Sequence, residues 1–349
     1  MYISKILLQN FRSYERKLVE FDQKANLILG KNGSGKSNLL EAIYFLSSGK
    51  SFRLSSSGQL IKWGEKMSSV RAKINDKDGV SEIEVQLWRE DTGSLKRRFL
   101  IDKVVKTRAK YWGKIKIVVF EPEDLRLING SPGRRRDFLD GIFANTEWRY
   151  ASALSQYHKA LKNRNELLDI IASGKAQKTE LFYWDQSLIK NAEIIQAFRL
   201  AWVKSANLFF INHEDKEINK LSIKYQASTI SEDKLQQLYP LELQAGHSKC
   251  GPHLDDFSID FADFETEDKN LTFWGSRGQQ RMAVLALRLA QINYLEQQYN
   301  EKPILLLDDI FSELDQNHRQ IVIDICQKYQ TIFTSTEQIN LPTAQIENL

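Results

Sequence analysis

The eight residues Gly30-Lys31-Asn32-Gly33-Ser34-Gly35-Lys36-Ser37 constrain this chain more than any other segment. They match G-x-x-x-x-G-K-[ST] at every fixed position. Glycines let the backbone turn tightly enough for its N–H groups to face phosphate oxygens, and a following helix N-terminus adds a favourable dipole. In such a loop Lys36 brings positive charge to the β- and γ-phosphates, and the Ser37 hydroxyl is placed to ligate Mg²⁺. The bland alternative is a glycine-rich turn with no ligand. The context opposes it. An apolar strand, Asn26 to Leu29, precedes the loop, and Leu39, Leu40, Ile43 and Leu46 follow at helical spacing.

A phosphate loop needs a second acid for its metal. The most apolar run of the chain, Ile304-Leu305-Leu306-Leu307, ends in Asp308-Asp309 and reads as a buried parallel strand. Asp308 is the expected Mg²⁺ partner, and Asp309 is placed to orient or deprotonate an attacking water. Paired acids after a strand also cap helices, so that reading stays open. The spacing sets the class. Gly30 and Asp308 are about 280 residues apart yet must meet at one phosphate. A split ATPase lobe interrupted by an insert is the ABC arrangement. That class calls for a Ser-Gly turn opening a helix upstream of the acid-ended strand. Ser276-Arg277-Gly278-Gln279-Gln280 fits, opening a helix that runs to about Tyr299. A serine hydroxyl and helix N-terminal N–H groups make a second anion site. In ABC proteins it closes over the γ-phosphate of a partner subunit, which implies an ATP-sandwiched homodimer. Ser312-Glu313-Leu314-Asp315 matches the D-loop at such an interface, and Ser312 could equally open the next helical turn.

The rest of the 349 residues divides by character. Residues 1 to 120 are rich in strand patterns, with Ile3 to Leu8, Leu18 to Phe21, the alternating run from Ser81 to Leu87, and Ile115 to Phe120. Asp91-Thr-Gly-Ser reads as a hairpin turn. From Pro132 to about Leu241 the pattern is helical. A strand is expected at Phe257 to Phe261, and another at Thr331 onward. The expected fold is α/β: ATPase lobe I formed by residues 1–120 and 296–349, and a mainly helical lobe II at 121–295 that includes the signature helix. No stretch approaches the roughly 18 consecutive apolar residues of a membrane span, and Met1 to Lys5 does not open like a secretion signal. Cys250 and Cys326 have no metal-type spacing and read as reduced thiols, so the expected location is cytoplasmic. The net charge is only +4. Basic residues do cluster, at Lys96-Arg97-Arg98 and Arg134-Arg135-Arg136. Such runs track phosphates or simply face water. His253 belongs to no metal set and reads as structural.

With these motifs in hand the chain resembles the RecF family of bacterial DNA-repair proteins, a branch of the ABC ATPases with SMC-like heads. The resemblance rests on Leu8-Gln9-Asn10-Phe11-Arg12-Ser13-Tyr14, on Pro122 to Leu125 with Gly130-Ser131-Pro132 and Arg134 to Asp140, on Gly251-Pro252-His253 with Asp255-Asp256, and on the signature, Asp308-Asp309 and D-loop segments. It implies ATP and Mg²⁺ as cofactors and an ATP-dependent homodimer. It further implies binding to gapped or junction DNA through a basic surface, with Arg134, Arg135 and Arg136 as candidates, and action with RecR- and RecO-like proteins to load recombinase. The implied process is recombinational repair and replication-fork recovery in the DNA-damage (SOS) response, with slow hydrolysis. There are departures. Leu254 stands where the family has a basic residue. Asp309 replaces the longer Glu common in ABC proteins. Glu121-Pro122 follows the Ile115 to Phe120 strand, where a Q-loop Gln is expected. Thr334 and Ser335 stand where an H-loop His would be. A transporter subunit would carry the missing Gln and His, and other SMC-like repair proteins would carry long heptad arms. An ABC-type ATPase with a protein partner in place of DNA is the remaining alternative.

Overall fold

A computed structural model describes residues 1–53, 57–262, 269–312, 316–337 and 345–348. The chain divides into two compact units, Met1–Asp124 with Gln291–Leu349, and Leu125–Ala290.

The first unit carries two sheets. One is antiparallel, built from β1 (Tyr2–Phe11), β2 (Tyr14–Glu20), β4 (Met67–Asp76), β5 (Gly79–Arg89), β6 (Leu95–Ile101) and β7 (Val104–Lys106) in the order β2-β1-β4-β5-β6-β7. Its strands alternate. Ile83, Val85 and Leu87 of β5 are fully buried, whereas Val80 at its start is exposed. The β5–β6 hairpin turns at Gly93, whose φ of 83° needs glycine. The other sheet is parallel, with β3 (Ala25–Leu29), β8 (Ile117–Phe120), β12 (Ile304–Leu307), β13 (Thr331–Ser335) and β14 (Gln345–Asn348) in the order β14-β3-β13-β12-β8. All four residues of β12 are buried, as a central parallel strand requires. The helix Lys36–Ser48 joins the two sheets: Leu39, Leu40, Ile43 and Leu46 share one apolar cluster with Val70, Val85, Ile304 and Ile332. Residues far apart in sequence thus bury one core, which fixes the end of β3 against the end of β12.

The second unit is mainly helical. Its long helices, Trp148–Ala172 and Phe182–Ile211, carry two fully buried arginines. Arg164 lies 2.6 Å from Asp185 and 2.8 Å from Glu242. Arg199 lies 2.7 Å from Asp140 and 2.8 Å from Asp255. Buried charges of this kind are tolerated only when paired. The segment Lys178–Ile211 has a window of mean hydropathy 1.2, long and apolar enough to meet a membrane-span criterion that no run of consecutive apolar residues meets. Arg199, bound to carboxylates of the same unit, lies on its buried face, while Phe182, Tyr183, Leu208 and Ile211 are exposed. A three-stranded antiparallel sheet, β9 (Leu221–Gln226), β10 (Asp256–Phe261) and β11 (Lys269–Asn270), completes the unit. β9 falls inside the stretch read from sequence as helical. Its six residues alternate, but helix-type composition on both sides hides so short a run.

Candidate nucleotide site

The loop from Gly30 to Ser37 links β3 to the helix Lys36–Ser48. Gly30 N–H donates to Ser335 O at 3.3 Å, so the loop starts from two adjacent parallel strands. Gly33 and Gly35 have φ of 82° and 105°, where a side chain would be strained. At Gly35 a Cβ would also stand 2.9 Å from the Tyr14 hydroxyl, which itself donates to Gly35 O at 3.1 Å. Lys36 is buried, and its ammonium crosses the loop to donate to Gly30 O (2.6 Å) and Lys31 O (3.1 Å). Lys31 and Asn32 are exposed at the loop tip. The Ser34 hydroxyl is buried without a hydrogen-bond partner, a polar atom left for a ligand to satisfy.

The second half of the site comes from the other end of the sequence. Ser37 Oγ donates to Asp308 Oδ1 at 2.8 Å across 271 residues. Thr334, at the end of β13, donates to the same Asp308 oxygen at 2.9 Å, and its hydroxyl accepts the Asp309 N–H at 2.9 Å. Asp309 has a φ of 49°, the left-handed region that non-glycine residues seldom occupy. That turn carries the chain out of β12 with both acids on one rim. Lys36, Ser37, Asn38, Arg53, Asp308, Asp309 and Thr334 surround a cavity of about 280 Å³, together with the loop glycines. Ser37 and Asp308 offer the hard oxygen donors that suit Mg²⁺, which binds through one or two protein groups and keeps waters. Thr334 stands at the position where an H-loop His is expected, and Tyr14 ends the Leu8 to Tyr14 segment that carries the resemblance, but no motif marks Arg53.

Ser276 caps the helix Arg277–Tyr299. Its hydroxyl accepts from Gln279 N–H at 3.3 Å, and Gln279 Oε1 accepts from Ser276 N–H at 2.9 Å, a reciprocal capping box. Ser276, Arg277 and Gly278 are exposed, and a Cβ at Gly278 would meet nothing nearer than Ser276 Oγ at 4.0 Å. Beside them Phe273 and Trp274 are 79% and 72% exposed. Of the expected D-loop, Ser312 ends the short turn Ile310–Ser312, while Asp315 lies outside the described residues. The basic run is divided. Arg135 holds Asp256 with both nitrogens (2.6 and 2.9 Å), and Arg136 donates to Asp255 O at 2.9 Å, so both serve the fold of their unit. Arg134 is exposed. His253 Nδ1 bonds the Tyr157 hydroxyl at 2.7 Å, and burial holds its pKa below the ordinary value.

The family model for the RecF/RecN/SMC N-terminal domain matches residues 2–345. Proteins named DNA replication and repair protein RecF align over nearly the whole chain. That of Thermoanaerobacter sp. (strain X514) is 33% identical, covering 98% of this chain and 96% of the relative. That of Pediococcus pentosaceus is 35% identical, covering 96% and 92%. The chain belongs to the RecF family. Among solved structures, the recombination mediator protein RecF bound to ATP, described within the RecFOR pathway, superposes with a TM-score of 0.84 at 31% identity, over 98% of this chain and 93% of that one. The Smc head of Pyrococcus furiosus, at 20% identity and a TM-score of 0.51, shares the fold. The α/β, ABC-type ATPase head expected from the RecF-like motifs is thus the observed fold.

Proposed function

We propose that this chain is an ATP-switched, DNA-binding recombination mediator that acts as a homodimer with RecR- and RecO-like proteins. The observation that carries the reading is the 2.8 Å contact of Ser37 with Asp308, which brings a complete phosphate loop to an acid-ended strand. Gly30 to Gly35 wrap the phosphates with backbone N–H groups, and Lys36 turns its ammonium from the loop carbonyls to the β- and γ-oxygens. Ser37 and Asp308 would hold Mg²⁺, which would supply neutralisation of the phosphate charge. Asp309 takes the proton of the attacking water. Its carboxylate is one methylene shorter than Glu, which suits slow hydrolysis. Ser276 and Gly278 of a second copy close over the γ-phosphate, and Phe273 and Trp274 give that surface the exposed aromatic area an interface buries. ATP then favours the dimer because it binds that state more tightly. Two buried, unpaired thiols, Cys250 and Cys326, fit a reducing cytoplasm.

The test is nucleotide binding and ATP-dependent retention of gapped duplex DNA by the full chain. Lys36→Ala should weaken ATP binding about tenfold or more, the worth of charged hydrogen bonds, and abolish ATP-dependent DNA retention. Unchanged ATP affinity would refute the loop assignment. Normal ATP binding by the unaltered chain with no DNA retention would leave an ABC ATPase with a protein partner.

A further inference from the structure

A second basic cavity, of about 400 Å³, lies at the β6–β7 edge of the antiparallel sheet and is lined by Arg97, Phe99, Lys106 and Arg108 with their neighbours. Register brings the cations together. Lys106 stands opposite Phe99, so it shares a face with Phe99 and with Arg97, two residues away on the same strand. Arg108 follows at the start of the next turn and lies over the rings of Phe99 (5.8 Å) and Trp112 (5.2 Å). Among the described residues no carboxylate lines this cavity. Four other arginines with buried or partly buried side chains differ: Arg12, Arg135, Arg164 and Arg199 each hold a carboxylate within 3 Å. Arg97 has instead a buried Nε with no hydrogen-bond partner, and its stem packs so closely on the helix end that a Cβ at Gly49 would lie 3.0 Å from its Cδ. A buried donor left without an acceptor destabilises the fold, more so when it is charged. Burial and the neighbouring Arg108 both lower the Arg97 pKa, as expected of cations gathered without a counter-ion. The surrounding segment is more basic still. Residues 96–114 hold eight lysines and arginines against one acid, Asp102, in a chain whose net charge is only +4, while Lys116 beyond them is buried on Glu301.

We propose that Arg97, Lys106 and Arg108 form a phosphate-binding pocket that seats the backbone of a nucleic acid. The fixed cations of the pocket take one phosphate by charge-assisted hydrogen bonds, and the flanking lysines draw the neighbouring phosphates along the sheet edge. A polyanion, and not a single small anion, matches a stripe of this length. The inference rests on the DNA-binding reading above and locates it on the first unit, apart from the Arg134 to Arg136 run.

The experiment compares the full chain with Lys106→Gln/Arg108→Gln and with Lys106→Arg/Arg108→Lys, in Mg-ATP, by fluorescence anisotropy on gapped duplex DNA across a salt series. The Gln pair should lose affinity about tenfold and reduce the slope of log affinity against log salt by about 2, while ATP affinity holds and the charge-conserving pair binds as before. If the unaltered chain binds DNA and the Gln pair binds it equally, the pocket assignment falls and the DNA-binding reading stands. If the unaltered chain binds no DNA, both fall. If inorganic phosphate or pyrophosphate raises the melting temperature of the unaltered chain and not of the Gln pair, with DNA affinity unaffected, the pocket serves a small anion and the nucleic-acid proposal is overturned.

Discussion

At the scale of single residues, Thr334 decides more about the site than its sequence context advertises. Its hydroxyl donates to Asp308 and accepts from the Asp309 backbone, so one side chain sets the positions of both acids. Thr334→Val keeps the shape and removes both bonds. It should lower ATP hydrolysis about tenfold while ATP affinity stays within about twofold, since Lys36 and the loop amides are untouched. It should also lower stability by about 1–3 kcal/mol, because the Asp309 N–H loses its acceptor in a partly buried place. Single-turnover hydrolysis beside equilibrium ATP binding checks the split, and a variant that hydrolyses normally would remove Thr334 from the machinery. Gly30 to Ser37 and Asp308 were readable because their chemistry is written in contiguous residues. The roles of Thr334 and Tyr14, and Arg53 altogether, were not, because each reaches the site only through β13, the β1–β2 hairpin or the turn after the helix.

Elements tell a similar story. The helix Lys36–Ser48 and strand β12 carry periodicities strong enough to be placed from sequence, since their apolar residues have nowhere to go but the core. β9 escaped, and so did the buried ion pairs that fix the second unit, because pairing between distant carboxylates and arginines leaves no local pattern. Arg199 is 2% exposed in its side chain and holds Asp140 and Asp255 from two other elements. Arg199→Ala removes the guanidinium that both acids share, although Asp255 keeps Gln196, Tyr225 and Ser228 and Asp140 keeps Tyr150, and the cost expected for breaking a buried pair is about 3–5 kcal/mol. Urea denaturation should record a loss of that size. A loss under 1 kcal/mol would mean that water replaces the guanidinium without penalty. His253 adds a pH dependence. Burial lowers its folded pKa below the unfolded value of 6.5, so the unfolded chain takes up the proton first. Stability should therefore be full above that value and fall as pH drops through it toward the folded pKa. His213 shifts the same way and adds to the trend. Melting temperatures between pH 8 and 5 should show the decline, and His253→Gln should flatten part of it.

For the whole molecule the ATPase head follows from motif order: phosphate loop, signature, acid-ended strand, with a helical unit between the first two. That order was legible because about 280 residues separate two groups that must share one phosphate. The proposed DNA surface was less so. Two basic runs stood out equally in sequence, and only the fold shows that Arg135 and Arg136 are spent on Asp256 and Asp255 while Arg97 keeps an unpartnered nitrogen. In the proposed dimer, ATP on the Gly30–Ser37 loop of one copy is closed by Ser276 and Gly278 of another. Sedimentation velocity of the full chain, with and without Mg-ATP and beside Ser276→Ala, checks this. ATP should convert the unaltered chain from monomer to dimer, and Ser276→Ala should bind ATP yet sediment as a monomer. A chain that stays monomeric with ATP bound, or a Ser276→Ala variant that dimerises fully, would contradict it.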